Sequence, residues 1–353
     1  MGVLRVSILI SRIIRMNNII SDNCGLYLYW MFRTKVIPKI SPNKIELKDS
    51  ILAFGSCFVQ NIGQKLKDNK FNIDINPFGT LFNPLSVFNL VNLAAQNKNI
   101  DQNRIAKIQG IFHHYDLHSD LSKLNKEELL DSANLQLRYI ESQLPGTSVI
   151  MYTFGTSIVY ELNETRDIVA NCHKVPSKMF NRRFLDIEEI VHGFRMNYDL
   201  VKGQNRNIRF ILTVSPVRHQ KESFEQNNLS KSILRVACDK IVQQHENVEY
   251  FPAFEIMMDE LRDYRFYKKD MLHPNSLAVD YIWQKFQDTY FSVKQKEFVL
   301  KWNKVQKAIA HKPFNVGSEQ HQLFIHKTIS ILNKFKNDID INPELKRLKS
   351  QLL

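Results

Sequence analysis

Ser56 lies in the run Phe54-Gly55-Ser56-Cys57-Phe58, directly after the apolar stretch Ile51 to Phe54 and ahead of Phe58, Val59, Ile62 and Leu66, which recur at helical spacing. A strand that turns into a helix at Ser56 sets its hydroxyl beside the unsatisfied amides and the positive dipole end of the helix N-terminus. Donors of that kind favour an ionising hydroxyl and the oxyanion that forms on an attacked carbonyl. A serine at such a turn also serves simply as an N-cap, so a nucleophile needs more than its position. Asp270-Met271-Leu272-His273-Pro274 supplies the missing base. Aspartate and histidine three residues apart can face one way, with the carboxylate, or a backbone carbonyl assisted by it, orienting the imidazole that takes the serine proton. Cys57 competes for the role as the intrinsically stronger nucleophile, although a cysteine under a turn is more often a small buried hydrophobe.

Other polar clusters carry less. His113, His114, Asp116 and His118 have metal-binding side chains, but their spacing fits no zinc pattern, and no metal or cofactor is expected. Asn171, His173 and Lys174 form a polar stretch suited equally to substrate binding and to a turn. The four cysteines, Cys24, Cys57, Cys172 and Cys238, contain no C-x-x-C pair, which speaks against a disulfide framework and for reduced thiols in a cytoplasm.

Charge separates the function classes further. The net +12 comes wholly from the ends, with an excess of 5 in residues 1–50 and of 7 in residues 291–353. The neutral middle has no basic stripe interleaved with aromatics, so a nucleic-acid groove around the working residues is not expected. Val3 to Ile20 is apolar but is cut by Arg5, Arg12 and Arg15, leaving neither a membrane span nor a signal-peptide core. Residues 1–30 are read as an extension outside the domain.

The elements that must hold Ser56, Asp270 and His273 are legible as a strand at Ile51 to Phe54, a helix after Gly55, and a second strand at Phe71 to Ile75 stopped by Asn76-Pro77. Further strands are expected at Val149 to Phe154, Ile208 to Val214 and Val248 to Phe251, each nearly continuous in apolar or β-favouring residues. Such strands are buried on both faces. Alternating with helices, they imply a mostly parallel sheet between helical layers, with the chemistry outside the carboxyl ends of the strands. Residues 96–145 are polar and helix-prone and read as an insertion or lid, and the chain from about Phe291 onward reads as helical and basic.

The chain also resembles a known family, the GSCFA domain proteins of bacteria, within the wider SGNH (GDSL-like) hydrolase grouping. The resemblance rests on Phe54-Gly55-Ser56-Cys57-Phe58, Asn76-Pro77-Phe78-Gly79-Thr80, Thr153-Phe154-Gly155-Thr156-Ser157, Asn171-Cys172-His173-Lys174-Val175-Pro176, Ser215-Pro216-Val217-Arg218-His219 and Asp270-Met271-Leu272-His273-Pro274, in that order. It covers roughly residues 32–320 and implies a three-layer α/β/α sandwich of the SGNH type, with residues 321–353 left as a basic helical tail. It also implies a triad of Ser56, Asp270 and His273, with Gly79 as the second-block glycine that donates to the oxyanion. The third block departs from the grouping by ending Gly155-Thr156-Ser157 rather than in Gly-x-Asn. Thr156 is expected to fill the gap, with Ser157, Asn171 and Asn76 as alternatives, and Asn76, Asn171 and His173 are expected to contact substrate.

These readings converge on a serine esterase or acyl hydrolase acting through an acyl-serine intermediate on an acylated carbohydrate or similar small ester. The alternatives are a carbohydrate O-acyltransferase with the same triad and a binding protein that keeps the fold without efficient catalysis. No nucleic-acid partner and no stable membrane insertion are expected.

Overall fold

A computed structural model describes residues 34–221 and 223–352, so the expected extension at residues 1–30 lies outside the described residues. The chain divides at Lys35, and the second unit, from Val36 onward, is compact. The second unit opens with β1 (Ser50–Gly55), α1 (Cys57–Asp68), β2 (Asn72–Ile75) and α2 (Pro84–Ala95). The hairpin β3 (Ile105–Ile108) and β4 (Ile111–His114) then leads to α3 (Lys126–Gln143) and β5 (Thr147–Phe154). Strands β6 (Ile158–Leu162), β7 (Ile168–Val169) and β8 (Phe180–Phe184) form a small antiparallel sheet. Next come α4 (Ile187–Gln204), β9 (Arg209–Val214), α5 (Phe224–Gln244), β10 (Val248–Tyr250) and α6 (Ser276–Tyr290). Three more helices follow, α7 (Val293–Ala310), α8 (Glu319–Leu332) and α9 (Asn342–Lys349).

The central sheet has the order β10-β9-β5-β1-β2, and each of its pairings is parallel. Successive strand residues point to opposite faces, and the buried side chains follow that alternation. Leu52, Phe54, Ile150, Tyr152, Phe154, Phe210, Leu212 and Val214 share a core with α2, α3, α4 and α5. Ile51, Ala53, Val149, Met151 and Ile211 share another with α1 and α6. Two apolar faces on one sheet explain the continuous apolar strands in the sequence and establish the three-layer α/β/α architecture.

Residues 96–145 divide in two. The hairpin is peripheral, but Leu129, Ala133, Leu137 and Ile140 of α3 are buried in the main core. This corrects the lid reading: α3 is a layer helix on the crossover from β2 to β5, polar only on its outer face. Leu137→Ala is therefore expected to cost about 3 kcal/mol of unfolding free energy in urea titration, the usual range for a buried leucine. A loss below about 0.5 kcal/mol is what a detachable surface segment would give.

The C-terminal helices form a cluster of their own, from Trp302, Val305 and Ile309 through Ile325 and Leu332 to Leu348. A boundary at residue 320 would cut this cluster and α8, so the helical tail is better taken from α7. Trp302 Nε1 donates to Asp68 O at 2.8 Å and Lys70 pairs with Glu344 at 2.8 Å. Both ties are made at the end of α1 opposite Ser56, so the tail braces that helix from the far side.

Candidate active site

The carboxyl ends of β1, β2, β5 and β9 lead into Gly55-Ser56, Asn76, Gly155-Thr156 and Ser215, which brings four of the sequence blocks to one edge of the sheet. At the first of these ends Gly55 has φ +131, and a Cβ placed on it would lie 2.1 Å from Thr153 O. Only glycine lets the chain pass so close to its neighbour and turn into α1. Ser56 is the N-cap of α1, its Oγ accepting from Phe58 N at 3.3 Å. The residue is 1% exposed, with Gly155 packed against it.

Asp270 and His273 form a preassembled pair. Asp270 Oδ2 lies 2.7 Å from His273 Nδ1, while Oδ1 accepts from Leu272 N at 2.9 Å and from His273 N at 3.0 Å. The two backbone amides and the imidazole pull the Asp270 carboxyl down to about 2. It therefore stays ionised at every pH at which an esterase would be assayed, and an acid limb of activity would belong to another group. Met271 at φ +59 makes the tight turn between the partners. Arg218, just beyond β9, holds this loop through bonds from its N to Leu272 O at 3.2 Å and from its Nε to Met271 O at 3.2 Å.

The loop runs alongside α1. Lys268, Pro274 and Asn275 share a cavity of about 300 Å³ with Asn61, Gln64 and Lys65 of that helix. The charges of Lys268 and Asp270 are both felt at the Cys57 thiol, the residue next to Ser56. Among the described residues His273 Nε2 has no hydrogen-bond partner, and Ser56 Oγ makes only its cap bond. Contacts between base and nucleophile are often completed only with substrate in place. The Cys57 thiol is pushed up, chiefly by burial, which keeps it protonated near neutrality and weakens it as a rival nucleophile.

The other nominated residues separate by what they touch. The Gly79 amide donates to Asn76 O at 2.8 Å, the Thr156 amide to Phe82 O at 3.0 Å and the Ser56 amide to Thr153 O at 2.9 Å, so all three are already engaged. Thr156 Oγ1 accepts from Ile158 N at 2.9 Å and meets Ser230 Oγ at 3.0 Å. Asn76 is different. Its Oδ1 accepts from Gly55 N at 2.9 Å, which fixes the amide orientation, and its buried Nδ2 has no partner among the described residues.

Asn171 and Thr156 line a cavity of about 310 Å³ with Phe82, Tyr160, Cys172 and His219, against β6 and β7 of the small antiparallel sheet. His173 does not line it. Its ring is buried, with Nε2 at 2.8 Å from His114 O and Nδ1 at 3.1 Å from Ser119 Oγ, and burial pushes it down to about 4. Both nitrogens are occupied in tying the hairpin to the 171–175 turn, so the expected substrate contact is corrected to a structural one. His114 bonds Asp101 O, and Asp116 is gripped by both arms of Arg104. Among the described residues no histidine, cysteine and carboxylate cluster fit for a metal is present.

One face of α5 escapes the sequence reading. Asn227, Ser230 and Lys231 are buried under the Gly155-Thr156-Ser157 turn on the same stripe as Leu234, Cys238 and Ile241. Asn227 Oδ1 accepts from His219 N at 2.9 Å, and Ser230 Oγ accepts from Ser157 N at 2.8 Å. Polar residues interrupting the apolar stripe of an amphipathic helix were the available signal.

With this geometry in view, comparison with family models decides the relationship. The GSCFA family model matches residues 50–286, two thirds of the chain, and the model of the GSCFA C-terminal domain matches residues 302–353. The chain belongs to the GSCFA family. The second match begins within α7, in agreement with the separate cluster of C-terminal helices. No curated protein matches this GSCFA chain.

Among solved structures it is similar to a carbohydrate esterase family 3 protein from Talaromyces cellulolyticus, at 10% identity and TM-score 0.35, covering 71% of this chain and 98% of the other. It is similar to a provisionally named acylhydrolase from Bacteroides fragilis, at 10% identity and TM-score 0.37, covering 73% and 91%. A mutant acetyl esterase solved with acetate shares 9% identity and TM-score 0.34, over 73% and 99%. No helix among the described residues is long and apolar enough to cross a membrane.

Asp270→Asn tests the pair directly. It is expected to lower turnover of a chromogenic acetyl ester by roughly 10³- to 10⁴-fold, because an amide leaves the imidazole in the wrong tautomer. Unchanged steady-state rates would remove Asp270 from the site.

Proposed function

We propose that this GSCFA protein is a serine hydrolase that cleaves a small ester, such as an acylated carbohydrate, through an acyl-serine intermediate on Ser56. The observation that carries the reading is the Asp270–His273 pair, held at 2.7 Å on a loop beside the helix that Ser56 caps. His273 takes the Ser56 proton as the hydroxyl attacks the ester carbonyl, then returns it to the leaving alcohol. Water, activated by the same imidazole, attacks the acyl-enzyme and releases the acid. Asp270 holds the imidazole in place and faces the positive charge that develops on it. The dipole at the N-terminus of α1 and the unspent Asn76 Nδ2 favour the tetrahedral oxyanion.

The cavity lined by Thr156 and Asn171 adjoins the Gly155-Thr156 turn that packs against Ser56, and we assign the ester to it. Its lining of Phe82 and Tyr160 with Asn83, Asn171 and His219 suits a sugar, which offers an apolar face and several hydroxyls. A fluorophosphonate probe tests the reading, with covalent labelling of the wild-type protein expected on the peptide containing Ser56. Absence of both labelling and turnover of acetyl esters would overturn it in favour of a binding protein.

A further inference from the structure

Lys231 is 1% exposed, in the middle of α5, and among the described residues no carboxylate pairs with it. Burial pushes its ammonium down to about 7. A lysine withdrawn from water without a counter-ion costs folding free energy, so its hydrogen bonds show what it serves. Nζ donates to Gly155 O at 2.6 Å and to Ser215 O at 2.8 Å. These are the first carbonyls beyond β5 and β9, at the point where neighbouring strands diverge and the ladder no longer supplies partners. Gly155 is also the residue against Ser56, since a Cβ built on it would stand 3.2 Å from Ser56 Cβ. His219 Nε2 reaches the same Gly155 oxygen at 2.9 Å, so that one carbonyl is held from two sides.

We propose that Lys231 is a positioning residue of the Ser56 site, joining the ends of β5 and β9, fixing the Gly155-Thr156 peptide against the nucleophile and holding a positive charge behind it. The inference rests on the proposed hydrolase reading for its catalytic consequence, but the placement of the charge stands apart from it. The third block of this chain lacks the Gly-x-Asn ending, and a cation behind the turn, present while Lys231 keeps its proton, favours the oxyanion of the tetrahedral intermediate without touching it. The charge of Cys57 on α1 is felt at Lys231 and His219 shares its acceptor, and among the described residues no carboxylate neutralises it.

Cys57 gives a readout independent of turnover, because the Lys231 charge lowers the pKa of that thiol against the larger effect of burial. In the wild-type protein, iodoacetamide alkylation of Cys57, followed by peptide mass spectrometry, accelerates with pH as the thiolate forms. Where Lys231 loses its proton, near pH 7, the thiol becomes harder to ionise, so the logarithm of the rate is expected to climb with a slope well below one before recovering. A slope of one throughout overturns the inference.

Lys231→Met removes the charge and both donors while keeping the side chain's length. It is expected to slow Cys57 alkylation at pH 6.5 severalfold, because the thiol loses the charge that lowers its pKa, and to lower kcat by about tenfold or more with KM within about twofold. A folded variant with wild-type alkylation and wild-type kcat overturns the inference. If the wild-type protein shows no esterase activity while the alkylation profile bends as described, the hydrolase reading fails and the buried charge beside Ser56 stands. Should Lys231→Met not fold, the wild-type alkylation profile alone decides.

Discussion

Replacing Ser56 by alanine is expected to lower ester turnover by roughly 10⁴- to 10⁶-fold while leaving the fold intact, since members of a working triad are lost almost as a unit. Alanine removes the nucleophile together with a capping oxygen that accepts from Phe58 N at a long 3.3 Å. The structural cost is about 1 kcal/mol, the usual value for an N-cap, and a melting curve close to wild type should accompany the loss of rate. Cys57→Ala is the control. Its thiol is held protonated by burial, so turnover is expected to stay within a few-fold of wild type. If Cys57→Ala abolished activity while Ser56→Ala spared it, the nucleophile would be Cys57.

The second large effect is on the backbone. Gly55→Ala is expected to destabilise the protein by about 3 kcal/mol or more, from left-handed strain and a clash that each contribute roughly 1–3 kcal/mol. The residue has φ +131, and the added methyl would sit 2.1 Å from Thr153 O, a main-chain atom in the adjoining strand that cannot swing aside. Thr153 O also accepts from Ser56 N at 2.9 Å, so a strand that gives way moves Ser56. Folded Gly55→Ala protein should therefore lose turnover as well as stability, and a urea midpoint within error of wild type would show that the strand relaxes without cost.

Both predictions concern residues that the amino-acid sequence itself makes recognisable, and the reason is local. An apolar run, a glycine, a polar capping residue and a helical repeat from Phe58 to Leu66 are short-range signals, and β1 and α1 form within a residue or two of where those signals place them. The same holds for β2, β5, β9 and β10. Asp270 and His273 are also legible, because a pair three residues apart is arranged by its own turn.

Features that depend on what lies behind a residue are misread in the sequence or do not show there. The outer face of α3 is polar, which suggests a lid, but Leu129, Leu137 and Ile140 pack under the sheet. His173 belongs to a motif that looks functional, yet its ring is consumed by Ser119 and His114, 54 and 59 residues away. Gly79 is expected to donate to the oxyanion from its amide and Thr156 from its hydroxyl, but the Gly79 amide is spent on Asn76 O, and the Thr156 hydroxyl accepts from Ile158 N and meets Ser230 Oγ.

The serine at the strand-to-helix turn and the Asp-His pair are readable in the unfolded chain because each is written within a dozen consecutive residues, and the family and the alternation of strands and helices are readable as a succession of such short blocks. Folding was needed to bring α3 into the core, to leave Asn76 with an unspent donor next to Gly55, and to stand Lys231 behind Gly155. The physical reason is that hydrogen-bond saturation and burial are set by partners tens to hundreds of residues distant. Periodicity records which face of an element is apolar and carries no trace of what that face will meet.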